Sequence, residues 1–258
     1  MKTRKSVVIL PILLALSACS GGQSTPSGPV EPVIDEHYYE KISERVAFDE
    51  NNAKNFNDEM TGGPSNEVWD TLDAFWENGG KAGWHNGVRR RNIFKTTDED
   101  GKGYLVLKAR GQYNKEDPTK PKLSEGACLR TKEFLGPGRY EIEMAPLPRD
   151  GAVSAYWTYG TTTGSEDTSQ LEIDIELGGS ANYTNIWCTS WTKKASKTTE
   201  NIDVSDKLFM NDGKMHKYTF DWYTSYPGTS EPRVDWFIDE QYVTSITGGV
   251  VPTTHTPL

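Results

Sequence analysis

Leu171-Glu172-Ile173-Asp174-Ile175-Glu176-Leu177 places three carboxylates at strict two-residue intervals, with aliphatic side chains between them. Side chains alternate across a β-strand, so Glu172, Asp174 and Glu176 share one face while Ile173, Ile175 and Leu177 share the other. The aliphatic face requires a core. The carboxylate face is unfavourable, because neighbouring like charges repel and raise one another's pKa, and no Lys or Thr is interleaved to relieve it. Taken alone, the strand has two readings: an acidic solvated face on an ordinary amphipathic strand, or a carboxylate pair for acid–base work. Glu172 and Glu176 lie about 13 Å apart at Cα from the rise per residue, and side chains leaning inward can bring their carboxyl groups much closer.

Working outward, short β-rich runs alternate with turn signals and helical periodicity is almost absent, the pattern of an all-β sandwich. Residues 103–109, 127–133, 139–144, 153–159, 185–191, 216–222, 234–239 and 242–246 read as strands; only 42–49 and 66–75 have room for a helical turn or two. Asp98-Glu99-Asp100-Gly101 reads as a turn into the first of these. In 153–159, period two puts Val153, Ala155, Trp157 and Tyr159 on one face and Ser154, Tyr156 and Thr158 on the other. Two aromatics on one face of the strand leading into the acidic one suit a sugar-stacking cleft, and suit core filling equally well.

Residues 1–18 carry Lys2, Arg4 and Lys5 ahead of an apolar run, Val7 to Leu16, that is short for a membrane span; this is the form of a secretory signal. Leu16-Ser17-Ala18-Cys19 resembles a bacterial lipobox, which implies lipidation of Cys19 and anchoring of the exported protein to a membrane of the cell envelope or surface. Residues 19–45 then form the lipidated Cys and a flexible tether, and 46–258 a single domain. Removing the leader takes away three of the 28 basic side chains and none of the 37 acidic ones, leaving 25 against 37, a balance of −12. Such acidity argues against a nucleic-acid partner and disfavours polyanionic glycans, although Arg89-Arg90-Arg91 could supply a local basic patch. Cys128 and Cys188 are either a disulfide, which export permits, or two buried thiols. With four histidines and no CxxC or HExxH, a catalytic transition-metal site is not expected.

Gln170-Leu171-Glu172-Ile173-Asp174-Ile175-Glu176-Leu177-Gly178 resembles the signature of family 16 glycoside hydrolases, which include lichenases, laminarinases, agarases, carrageenases and xyloglucan transglycosylases. Four further blocks resemble the family in the same order: Leu129-Arg130-Thr131-Lys132-Glu133 with Gly136-Pro137-Gly138-Arg139-Tyr140-Glu141; residues 153–159; 212–222; and 234–239. Together they span about residues 58–255. The resemblance implies a concanavalin A-like β-jelly-roll sandwich of two curved antiparallel sheets, with a substrate cleft on the concave face. It implies Glu172 as nucleophile, Glu176 as general acid/base and Asp174 as an assisting carboxylate that helps keep Glu176 protonated, the three titrating as a coupled set. It further implies Trp157 and Tyr159 as sugar-stacking aromatics, Arg130 as a cleft-lining arginine, Asn86 as a substrate-binding asparagine and Trp191 as a platform. His216 would either support the carboxylates or serve the scaffold. No cofactor is needed for the chemistry; a structural calcium ion is compatible with the family, its ligands here unidentified.

The activity implied is that of a retaining endo-β-glycosidase, whose two carboxyl groups stand about 5–5.5 Å apart. No extra residue separates Asp174 from Glu176, so the strand should be regular, as in lichenases and transglycosylases and unlike the bulged laminarinases and galactan-degrading members. A neutral β-1,3-1,4- or β-1,3-glucan is therefore the expected substrate, although Gln170-Leu171 replaces the lichenase-like Trp-Asp. Family members usually continue beyond the point matching Leu258, so the jelly roll is expected to lack its C-terminal strands. The alternatives are a non-catalytic surface glycan-binding lipoprotein, a transglycosylase, and an agar-type galactan hydrolase using the same cleft. The protein is expected to act as a monomer.

Overall fold

The computed structural model describes residues 8–9, 58–76, 86–112, 123–149, 152–161, 170–178, 185–193, 196–203, 212–253 and 256–257. In chain order the strands are β1 (Val8–Ile9), β2 (Trp69–Thr71), β3 (Ala74–Trp76), β4 (Asn86–Val88), β5 (Ile93–Thr97), β6 (Gly103–Leu107), β7 (Arg110–Gln112), β8 (Leu123–Gly126), β9 (Leu129–Thr131) and β10 (Phe134–Leu135). They continue with β11 (Gly138–Met144), β12 (Val153–Thr161), β13 (Gln170–Gly178), β14 (Asn185–Lys193), β15 (Ser196–Asp203), β16 (His216–Tyr223), β17 (Arg233–Ile238), β18 (Gln241–Thr247) and β19 (Thr256–Pro257).

Two sheets enclose the core. One has the order β11-β16-β17-β18, with β1 of the leader segment paired to β11 in the full-length chain, and the other β12-β13-β14-β15; further sheets β3-β4-β8-β7, β2-β9, β5-β6 and β10-β19 complete the fold. Pairing is antiparallel except where β1 meets β11 and β4 meets β8. The expected all-β jelly roll is what the residues form.

The alternation of 171–177 explains its place. Ile173, Ile175 and Leu177 are 0% exposed and pack with Tyr156, Ile186 and Cys188 against Tyr140, Ile142, Phe220, Trp222, Val234, Trp236 and Ile238 of the facing sheet. Each such aliphatic burial contributes about 1.5–3 kcal/mol. Tyr140 stacks on Phe220 at 4.8 Å between ring centroids, and Tyr156 meets Phe220 from the other sheet at 5.5 Å. Two indoles carry hydrogen bonds through this core: Trp222 Nε1 donates to Pro252 O at 2.7 Å and Trp236 Nε1 to Asp174 O at 2.9 Å.

The opposite face of the larger sheet is polar and also buried. Arg139 donates to both carboxylate oxygens of Asp221 at 2.8 and 3.0 Å, and Arg233 to Asp235 at 2.6 Å, while Ser245 bonds to Asp235. β17 and β18 are joined by the two-residue loop Asp239-Glu240, both with positive φ (49° and 66°), the handedness a tight antiparallel hairpin demands.

Several expectations change. Residues 66–75 do not hold a helix: a turn leads into β2, whose Trp69 and Thr71 pair with Thr131 and Leu129, and β3 follows. Residues 42–49 and Cys19 lie outside the described residues. Cys128 and Cys188 do not form a disulfide; both are buried thiols, and burial raises the Cys128 thiol to about 11, so it stays protonated at neutral pH. In the run Arg89-Arg90-Arg91 two of the three charges are paired with carboxylates, while Arg90 is exposed. Arg91 donates twice to Glu125 at 2.6 and 2.8 Å, and Arg89 donates to Asp73 at 3.2 Å. The Arg91 hydrogen bond leads the causes that hold the buried Glu125 carboxyl below the ordinary carboxylate range.

Candidate active site

Residues directly opposite one another on antiparallel strands present their side chains to the same face, with Cβ atoms about 4.5–5.5 Å apart. The registers on either side of β13 therefore lay out the acidic face row by row. Ala155, Glu176 and Trp187 form one row; Trp157, Asp174 and Thr189 the next; Tyr159, Glu172 and Trp191 the third. From Glu172 to Leu177 neither register slips, so the strand is regular as its spacing predicts. Asp174 in the middle row is only 5% exposed, its neighbour Thr189 is buried, and Glu172 and Glu176 are half-buried. Tyr159 is 45% exposed and Trp157 and Trp191 half-buried, so aromatic surface on this face remains open to a ligand. Of the two readings of Trp157 and Tyr159, core filler or open-face aromatic, the register selects the second; Tyr156 on the opposite face is the one that fills the core.

Trp187 has no role assigned from the sequence pattern, because only the β13–β14 register shows that it stands beside Glu176. Its ring also lies over Gly178: a Cβ added at that glycine would come 2.8 Å from the ring's Cη2. A rigid indole cannot yield as a flexible side chain would. Gly178→Ala is therefore expected to displace the ring and destabilise the fold by about 1–3 kcal/mol. A thermal melt reads this directly, and an unchanged melting temperature would show that the ring is free to move.

The remaining candidates are placed differently. Arg130 is on β9, which pairs with β2 and not with the acidic sheet; its exposed guanidinium faces Asp70 at 3.3 Å. The backbone of Asn86 is in β4, and its side chain lies outside the described residues. A separate polar pocket of about 440 Å³ beside β2 is lined by Asp70, Asp73, Arg90 and Lys132 among others, and contains none of the three acids. Among the described residues no group of three or more His, Cys, Asp or Glu side chains could hold a metal ion.

His216 serves the scaffold. Its Nδ1 lies 2.7 Å from Asp239 Oδ2 and its Nε2 3.2 Å from Asp212 Oδ1, while Asp239 also accepts from the Lys217 N–H at 2.9 Å. The bond bridges the start of β16 and the β17–β18 turn. Burial works to lower the imidazole pKa, but the hydrogen bonds and charges of Asp239 and Asp212 outweigh it, and the folded pKa is raised. A raised folded pKa means the folded state binds the proton more tightly. The stability it contributes is complete below the unfolded value of about 6.5 and is lost as pH rises through the folded value. Chemical denaturation at several pH values above 6.5 should show stability falling in the native protein and a flatter profile in His216→Gln; parallel profiles would contradict this.

Residues 90–252 match the family model of glycosyl hydrolases family 16. The chain belongs to glycosyl hydrolases family 16. This family 16 chain is 29% identical over 168 residues to a xylanase/beta-glucanase of Ruminococcus flavefaciens, covering 62% of this chain and 19% of that protein. It is 30% identical over 172 residues to a beta-glucanase of Paenibacillus macerans, covering 67% and 61%. It thus spans less than two thirds of the length of both relatives. Among solved structures it superposes on a prokaryotic beta-1,3-1,4-glucanase (lichenase) derived from a mouse hindgut metagenome, with TM-score 0.55, 25% identity and coverage of 76% and 80% of the two chains.

Proposed function

We propose that the protein is a retaining endo-β-glycosidase of the cell envelope that cleaves a neutral β-glucan, of β-1,3-1,4 or β-1,3 linkage. One observation carries the reading: three carboxylates on one face of a regular strand, with aromatic side chains in direct register on both sides. The β-glucanase names of the relatives support the substrate class.

In this mechanism the Glu172 carboxylate attacks the anomeric carbon as the glycosidic C–O bond breaks, and Glu176 gives its proton to the departing oxygen. Glu176, now a carboxylate, takes a proton from water, which attacks the same carbon and releases Glu172 with net retention. Asp174, buried between them, keeps negative charge near Glu176 and favours its protonated form. Trp157, Tyr159 and Trp191, with Trp187 beside Glu176, offer flat apolar surface to sugar C–H faces.

Purified protein should release large fragments first from mixed-linkage or β-1,3-glucan, and NMR should show the β-anomer appearing first. An α-anomer as first product would exclude retention, and release only from agar or carrageenan would exclude the glucan. The leader and the Leu16–Cys19 lipobox support anchoring through Cys19. Cys19→Ser is expected to move the protein from the membrane to the soluble fraction, and retention in the membrane would refute the anchor.

A further inference from the structure

Glu172, Asp174 and Glu176 keep their mutual spacing only if the strand beneath them keeps its pleat. That strand is held along its edges by β12 and β14, and also from below. Trp236 on β17 of the facing sheet is fully buried, and its indole Nε1 donates to the backbone carbonyl of Asp174 at 2.9 Å, a bond spanning 62 residues of sequence. A carbonyl oxygen has two lone pairs, so it can accept this bond in addition to one from a neighbouring strand. In the low-dielectric core such a bond is electrostatically stronger than at the surface.

A buried indole needs some acceptor. Here the acceptor belongs to the central acid of the three, two residues from each of the others. The bond therefore acts on the peptide joining Asp174 to Ile175. That peptide's orientation sets the directions in which the Asp174 and Glu176 side chains leave the strand. Ile173 and Ile175, fully buried on either side, pack their side chains against the same core through apolar contacts, which are non-directional.

We propose that Trp236 is a positioning residue for the acid pair: its hydrogen bond to the Asp174 carbonyl fixes the pleat at mid-strand, and with it the spacing and orientation of Glu172 and Glu176. The inference rests on the hydrolase reading above. A reacting group misplaced by about 1 Å can lose about 10²-fold in rate, so even a small relaxation of the strand should be visible.

The decisive variant replaces the Trp236 indole, site-specifically, by benzothiophene, in which sulfur takes the place of N–H and the ring shape survives. Trp236→Phe is a second variant, and Phe220→Leu is the control that thins the same core without touching the bond. Two readouts are taken: kcat, KM and pH profile on soluble β-glucan, and the 13C titration of the Glu172 and Glu176 carboxyl groups. Loss of the N–H should lower kcat about 10-fold or more, leave KM within about two-fold, move the pH profile and alter both titrations. Phe220→Leu should lower the melting temperature but keep kcat and both pH behaviours. The proposal is overturned if the benzothiophene variant keeps kcat and pH profile, or if Phe220→Leu reproduces its losses. Should the native protein cleave no glycan, the hydrolase reading fails by itself; the titrations then decide, unchanged midpoints overturning the positioning role and altered ones sustaining it.

Discussion

Glu172→Gln is expected to lower kcat on β-glucan by at least about 10⁴-fold, a loss of the size seen when a covalent nucleophile is removed. The amide has nearly the shape of the carboxylate, so packing on the face of β13 is retained, but it carries no negative charge with which to form the glycosyl–enzyme bond. Binding of a gluco-oligosaccharide, followed by calorimetry, should persist, because the aromatic rows around the acids are untouched. The change also removes one of two neighbouring negative charges, those of Glu172 and Asp174, so the melting temperature should hold or rise. A variant that cleaves glucan at the native rate would remove Glu172 from the nucleophile's role. A native protein that binds glucan and cleaves none would instead identify a glycan-binding protein.

The acidic strand was legible from its sequence because one local rule, alternation of side chains, governs both of its faces. The same rule placed Trp157 and Tyr159 on one side and Tyr156 on the other, and the register bears this out. It failed where local patterns mislead. Val68, Leu72 and Phe75 recur at helical spacing, yet Trp69 and Thr71 gain more by pairing with β9 than an isolated turn could supply. β15 has hardly any apolar alternation and exists because β14 offers it a partner edge. The positions of Trp187 and Trp236 depend on which strands become neighbours, and no window of sequence around either residue contains that information. The fate of the arginine run was hidden for a related reason: Glu125, which neutralises Arg91, lies far from it in sequence and meets it only in the folded chain.

Glu176→Ala separates the two acids' roles by chemistry. On unactivated β-glucan the variant should lose about 10²–10⁴-fold, the usual contribution of a positioned general acid. On an aryl β-glycoside with a strongly acidic phenol, bond breaking needs little protonation, so Glu172 can still form the glycosyl–enzyme and the first step should be nearly native. The second step then stalls, because no carboxylate remains to take a proton from water. Azide needs no such base and fits the space left by the side chain. It should restore turnover and yield the β-glycosyl azide, since attack on the covalent intermediate repeats the inversion that formed it. In Glu172→Ala the same anion should instead enter from the empty nucleophile side and yield the α-glycosyl azide. The two configurations are distinguished by proton NMR coupling constants. Finding them exchanged would reverse the assignment of Glu172 and Glu176, and finding neither would mean that the acidic face of β13 is not where the glycosidic bond is broken.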